Sequence, residues 1–368
     1  MTRLVLLGGG HAHVHVLRDF ARRRPRGLKV MLVSPFERQL YSGMLPGFVA
    51  GHYAIDEIAI PLVPLAQAAG VDFVRAAAVG LDAEARTVRL DDGRVARYDL
   101  LSLDVGSAPP RELMPGAREH AAFVRPIEHF VQRLDGLVAL AHSRALDVVV
   151  IGGGAAGFEL VLALQHRLVR EGEERTRFSL VTGGPPPLAA YPAAVVRRGQ
   201  RALARHRVTV FDDACVAVEA RHVVLARGAR LACDLAVVAI GGAPPGWLAA
   251  SGLQLCTGGF VATGPTLQSL SHPQVFAVGD VCTRLDAPHP RSGVYAVRAG
   301  PPLAANLRRA AEGRSLRVHR PQARTLNLLS CGERYAIASW NGWSTEGAWV
   351  WRWKDRIDRG FIARYARG

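Results

Sequence analysis

The residues best placed to do chemistry lie in two glycine-rich loops. Gly152-x-Gly154-x-x-Gly157 follows the uncharged run Val148–Ile151 and opens a helix-like segment, the order strand, phosphate loop, helix. The first glycine permits the tight turn, the second lets backbone amides approach a diphosphate, and the third lets the helix pack against the strand. The helix then turns its amide end toward the anion. Gly8, Gly9 and Gly10, followed by His11, Ala12 and His13, repeat this after the strand Arg3–Leu7. His13 stands where the third glycine would be, so helix and strand should lie further apart there. A second repeated string confirms the period. Asp99–Pro109 (DLLSLDVGSAP) and Asp234–Pro244 (DLAVVAIGGAP) share an aspartate, an apolar strand, a glycine and Ala-Pro. The loops lie 144 positions apart and the strings 135, so the chain reads as a duplication of one nucleotide-binding plan with two dinucleotide sites.

Three carboxylates stand out beside these loops. Val275–Val278 reads as a strand ending at Gly279-Asp280. A carboxylate at that edge can accept from the hydroxyls of a sugar-like chain or cap the helix that follows. Asp104 interrupts an apolar strand, where an unpaired carboxylate is costly, and is expected at the strand's carboxyl end beside a bound cofactor. Glu159, just past the second loop, suits either a proton relay or a helix-start carboxylate favoured by the dipole. The acid that usually accepts from a ribose is missing from both repeats, with Ser34 and Thr182-Gly183 in its place. His11, His13 and His15 have no carboxylate or cysteine companion, so no metal site is expected.

At 368 residues and 49% hydrophobic, the chain can fill at least two cores. The net charge of +15 comes from 46 basic residues of which only Lys29 and Lys354 are lysines. That is a surface-wide arginine bias without a clustered patch, and no nucleic-acid partner is expected. The five cysteines are odd in number and never form CxxC, which points to a reducing, cytoplasmic setting. Cys282 and Cys331 are candidate acceptor-side thiols or plain buried residues. No apolar stretch is long enough to span a membrane or serve as a signal peptide.

Around the loops, Tyr41–Tyr53 (YSGMLPGFVAGHY) is expected to be a loop with aromatic ends. Ala78–Leu81, Thr87–Leu90 and Val95–Tyr98 are expected as short antiparallel strands, and Arg291–Arg309 as a loop entering a helix. Arg324–Gly368 reads as a separate small unit. In it, Thr325–Ser330 and Tyr335–Ser339 form a hairpin, and Val350, Trp353, Ile357, Phe361 and Tyr365 recur at helical spacing opposite Arg352, Arg356 and Arg359. Such a helix suits a bilayer interface, or packs on the body of the protein or on a second subunit.

In this order, the pieces over about residues 3–310 resemble the two-domain flavoproteins of the pyridine nucleotide-disulfide oxidoreductase superfamily. GGGHAH, YSGMLPG, LSLDVGS, GVYAVRAGP and WVWRWKDRIDRGF narrow the resemblance to the type II NADH dehydrogenase-like branch, relatives of sulfide:quinone enzymes. That branch is found alone or fused ahead of selenophosphate synthase. The resemblance implies an α/β fold of two Rossmann-like domains, the second inserted in the first, plus a small C-terminal α+β unit. The expected domains are 1–115 with 265–315 for FAD, 116–264 for NAD(P)H, and 316–368 as an interface unit. It implies FAD on Gly8, Gly9, Gly10, His11 and Ala12, with Ser34 and Val79 toward the adenosine. Gly106 would line the domain crossing, Gly279 and Asp280 the ribityl chain, and Val297 the ring system. Gly152, Gly154 and Gly157 would take NAD(P)H, and Glu159 and Asp104 are the candidate catalytic residues. No cysteine precedes Cys215, which argues against disulfide chemistry. The implied activity is electron transfer from NAD(P)H through flavin to a quinone-like or other small acceptor, with peripheral contact at the inner face of the cytoplasmic membrane and a homodimer as further expectations. The other function class is a flavin-binding accessory protein, selenium- or sulfur-linked, that does not use nicotinamide.

Overall fold

The computed structural model describes residues 1–109, 114–171 and 175–366. Leu4–Leu7 and Leu100–Leu103 are buried at every position, as strands covered on both faces must be. They form the middle of a five-stranded parallel sheet in the order Val275–Ala277, Leu100–Leu103, Thr2–Leu7, Leu28–Ser34, Asp72–Arg75. A second parallel sheet repeats the plan: Ala121–Phe123, Leu235–Val238, Asp147–Ile151, Arg177–Val181, Val208–Phe211. Since Val275–Ala277 completes the first sheet after the whole of the second, one Rossmann-like unit is inserted in the other.

The repeated aspartates do the same job in each copy. Asp99 accepts the main-chain N–H of Arg3 at 2.7 Å, and Asp234 that of Asp147 at 2.9 Å, so each pins its string beside the central strand. The duplication extends further. Ala78–Asp82, Thr87–Leu90 and Val95–Arg97 form an antiparallel sheet, matched in the second copy by Cys215–Val218, His222–Leu225 and Arg230–Ala232. The latter strands are three or four residues long, too short to show a period in sequence.

Two local expectations are corrected. The Tyr41–Tyr53 segment is not all loop, because Leu45–Val49 is a short helix. Pro46 is tolerated in its first turn, where no amide partner is lost, and Gly47 leaves room for the Tyr53 ring, 2.3 Å from where a Cβ would stand. The expected loop into a helix is present, the helix running from Gly293 to Ala311. At the C-terminus, Asn327–Cys331 and Glu333–Trp340 are joined by a third strand, Trp343–Gly347.

The C-terminal unit does not stand apart. Ala336, Ala338, Val350, Trp351, Phe361 and Ile362 share a core with Leu4, Leu6 and Phe20 of the first repeat. The expected apolar stripe of helix Ala348–Ala366 is therefore split. Val350, Phe361 and Tyr365 are buried, whereas Trp353 and Ile357 are 37% and 44% exposed. The inward face carries Lys354 and Asp358 instead, both buried.

Candidate functional site

The strand ends of the first sheet open on a cavity of about 530 Å³, within the range of small-ligand and cofactor sites. Gly8, Gly9, Gly10, His11, Ser34, Asp104, Gly106, Gly279 and Asp280 all line it, together with Ala76–Ala78, Arg125, Gly293 and Ala296. Ala12 lies behind the wall, its N–H bonded to Asp104. Val79 points to solvent at 47% exposure, and Val297 packs against the core rather than lining the cavity.

The missing third glycine has a physical explanation. A Cβ on Gly157 would sit 1.8 Å from the Gly152 carbonyl oxygen, so only glycine fits there. In the first loop, His13 fills the corresponding place. Its ring donates from Nδ1 to the Gly8 carbonyl at 2.6 Å and accepts at Nε2 from the Ser102 hydroxyl at 2.8 Å. Burial pushes its pKa down to about 4, so the ring is a neutral spacer.

Asp104 sits over the start of the helix His11–Arg22. Its Oδ2 accepts from the amides of Ala12 and His13 at 2.8 and 3.0 Å. Burial still dominates these bonds and pushes the carboxyl up to about 7. Asp280 lies in the single turn Gly279–Val281, not at the start of a long helix. Arg125 donates to it at 2.6 Å and to the Ser107 hydroxyl at 2.6 Å. Arg125 carries no signal in so arginine-rich a chain. The Nε2 of His11 is buried without a partner at the cavity wall, with burial pushing the ring to about 4. Amide groups at a helix start, an arginine–aspartate pair and an unpaired ring nitrogen form a donor and acceptor set that fits a dinucleotide.

The second loop is also built for close approach. Gly152 has φ +134° and lies against the carbonyl of Ala239, while nothing stands within 4 Å of where a Gly154 Cβ would be. Thr182, at the ribose position, is turned inward to the Phe211 carbonyl.

Glu159 is not a cap of its helix, Ala155–Glu171. Its Oε1 accepts from the main-chain N–H of Ser330 at 2.8 Å, joining the second repeat to the C-terminal hairpin. Burial pushes the carboxyl up to about 7, and the Lys354 cation opposes that rise. Lys354 donates to Asp358 at 2.6 Å and to the Gly43 carbonyl, and Tyr41 donates to Asp358. Burial raises Asp358 and Tyr41. The Tyr41 ring packs against His11, which lines the cavity, with centroids 5.5 Å apart, and stacks on Phe361 at 4.4 Å. Sequence reasoning missed Tyr41, Asp358 and the role of Lys354. The one signal was rarity, a lysine kept where arginine is the rule.

Cys282 is buried, which pushes its thiol up to about 12, and burial raises Cys331 as well. Neither is set up as a nucleophilic thiolate. Among the described residues, no group of three or more His, Cys, Asp or Glu side chains is placed to hold a metal, and no helix is long and apolar enough to cross a membrane.

Residues 2–300 match the family described as pyridine nucleotide-disulphide oxidoreductase. Among similar proteins are demethylphylloquinone reductase NdbB of Synechocystis, 25% identical over 77% of this chain and 73% of that protein, and ferroptosis suppressor protein 1 of Xenopus tropicalis, 25% identical over 74% and 72%. The NADH dehydrogenase-like protein YutJ of Bacillus subtilis is 22% identical over 89% of each chain. Among solved structures, the sulfide:quinone oxidoreductase of Aquifex aeolicus superposes with a TM-score of 0.83 at 17% identity, over 100% of this chain and 92% of that one. NDH2 of Plasmodium falciparum in complex with NADH gives 0.81 at 13%, over 100% and 99%. These structures establish the shared fold.

Proposed function

The chain belongs to the pyridine nucleotide-disulphide oxidoreductase family, and from that premise we propose that it is an FAD-dependent oxidoreductase passing electrons from NAD(P)H to a quinone-like acceptor. When bound, FAD supplies the two-electron carrier between donor and acceptor. The observation that supports the acceptor side is the buried group Glu159, Lys354, Asp358 and Tyr41, in which the Tyr41 ring packs against His11 of the cavity wall.

The residues divide the work. Gly8–His11 and the Arg125–Asp280 pair would hold the flavin dinucleotide, in the cavity that Ser34, Gly106 and Gly279 also line. Gly152, Gly154 and Gly157 present the second loop to the nicotinamide nucleotide. A quinone needs protons as well as electrons on reduction, and Glu159, with its carboxyl pushed up to about 7 by burial, can take up and give one around neutral pH. Lys354 opposes the effect of burial on that carboxyl.

Access for a lipid-soluble acceptor is supported by the outer face of the C-terminal unit. Trp340, Trp343, Trp349, Trp353 and Ile357 are each 37–51% exposed, and Trp349 stacks on Trp353 at 6.3 Å. Exposed arginines 352 and 356 lie on the same helix. We propose peripheral membrane contact through this face. Anaerobic rapid mixing separates the half-reactions. Glu159→Gln should reduce its flavin with NAD(P)H at the wild-type rate but deliver electrons to a soluble quinone roughly a hundredfold more slowly; equal quinone rates would remove Glu159 from the proton path.

A further inference from the structure

The two repeats differ at one point that their equivalence exposes. A Cβ on Gly8 would strike the carbonyl of Asp104, and one on Gly152 the carbonyl of Ala239, so Asp104 and Ala239 hold matching places at the ends of matching strands. The second glycine of such a loop keeps space clear for a diphosphate. Over Gly154 that space is open, with nothing within 4 Å. Over Gly10 it is filled by the carboxyl of Asp104, whose carbon lies 2.3 Å from where a Cβ would stand. That carboxyl also takes the amides of Ala12 and His13, part of the positive end of the helix that attracts an anion.

A diphosphate and an ionised Asp104 would compete for the same positive helix end and repel each other in a buried setting. Among the described residues no cation is paired with the Asp104 carboxyl, and Arg125 of the same cavity is paired with Asp280. From the helix, His11 and His13 face this region as neutral rings. From the turn after Val275–Ala277 comes Asp280, another carboxylate, whose charge is met by Arg125; beyond it is the buried Cys282 thiol.

We propose that Asp104 couples flavin binding to proton uptake: the diphosphate is held beside this residue when its carboxyl is protonated. Above neutral pH close to one proton is taken from solvent as FAD binds and returned when FAD leaves. Both amide bonds end on Oδ2, which leaves Oδ1 to carry the proton without loss of the helix cap. Burial has already raised the carboxyl to about 7, so the exchange falls within an ordinary working range. The coupling rests on the assignment of FAD to the first loop.

Flavin release from the loaded full chain tests it, read as recovery of flavin fluorescence on dilution into buffers from pH 6 to 9. The wild-type dissociation constant should rise with pH, approaching about tenfold per unit at the alkaline end for one linked proton. In Asp104→Asn the amide oxygen keeps both N–H bonds and the charge is gone, so the constant should stay near the wild-type low-pH value throughout. Equal pH slopes in the two proteins overturn the coupling. So does a folded Asp104→Asn that has lost flavin at every pH, because the charge would then be needed for binding. Should the variant not fold, the wild-type profile decides, and a flat one overturns the proposal. A wild-type protein that takes up no flavin at any pH would overturn the FAD assignment itself.

Discussion

The main chains of Ala108 and Ala243 exchange both hydrogen bonds, at 2.7 and 2.8 Å. They occupy the same place in the two repeated strings, so the repeats meet through a self-complementary pair, as the two halves of a symmetric dimer would. Beside it Gly242 presses on Ser107, whose hydroxyl lies 1.9 Å from where a Cβ would stand, and Ser107 receives Arg125. The junction of the two repeats thus reaches the cavity through one hydrogen-bonded chain, Ser107, Arg125, Asp280.

Gly157→Ala should separate the two dinucleotide sites. The new methyl would meet the Gly152 carbonyl at 1.8 Å, and overpacking of about 1–3 kcal/mol would fall on the second loop alone. The variant should keep its flavin while its dissociation constant for NAD(P)H rises roughly 10- to 100-fold. Titration of flavin reduction against donor concentration measures this, and an unchanged constant would take the second loop out of donor binding.

The pH dependence of turnover with a quinone should carry one limb from Glu159. Its carboxyl near 7 loses its proton as pH rises, so turnover should fall through neutral pH, and Glu159→Gln should lack that limb. Lys354→Met removes the cation that opposes the effect of burial, so the limb should move to higher pH. It also strips the buried Asp358 of its cationic partner, at a cost of about 3–5 kcal/mol in stability. The stability sign follows from the raised carboxyl. The folded state holds the Glu159 proton more tightly than the unfolded chain, so this group's contribution is full at low pH and is lost as pH rises through about 7. Melting temperatures of wild type and Glu159→Gln from pH 5 to 8 should diverge in favour of the variant at the alkaline end.

The duplicated plan was legible because local backbone demands mark the sequence. Gly152 at φ +134° and Gly8 at φ +94° need glycine, and Asp99 and Asp234 recur because each pins a strand. The rest depends on contacts distant in sequence. Arg125 meets Asp280 across 155 positions and Lys354 meets Gly43 across 311, so neither role shows in local pattern. The helix Leu45–Val49 was hidden by Pro46 and Gly47, which read as breakers. The period of the C-terminal helix was visible but its inward face was not, because a buried Lys354–Asp358 pair takes positions that pattern assigns to solvent.

The exposed tryptophans should govern membrane contact without supporting the fold. Trp349→Ser combined with Trp353→Ser removes two stacked rings that are 48% and 37% exposed. The melting temperature should hardly move, while flotation with liposomes should drop roughly tenfold as buried apolar area is lost. Full flotation of the double variant would place the contact elsewhere.

No thiol should take part in electron transfer. Burial raises both Cys282 and Cys331, so Cys282→Ser with Cys331→Ser should keep wild-type turnover, and iodoacetamide should leave both unlabelled in the folded protein at pH 7. A loss of turnover with retained flavin would restore a thiol step.

The central claim is that one chain holds a flavin in the first repeat and reduces it with a nicotinamide nucleotide held by the second. Anaerobic stopped-flow mixing of the purified protein with NADH and with NADPH tests this most directly. The account predicts yellow protein whose flavin absorbance bleaches with at least one donor and returns when a quinone is added. Colourless protein that takes up no flavin, or yellow protein that neither donor bleaches, would contradict it.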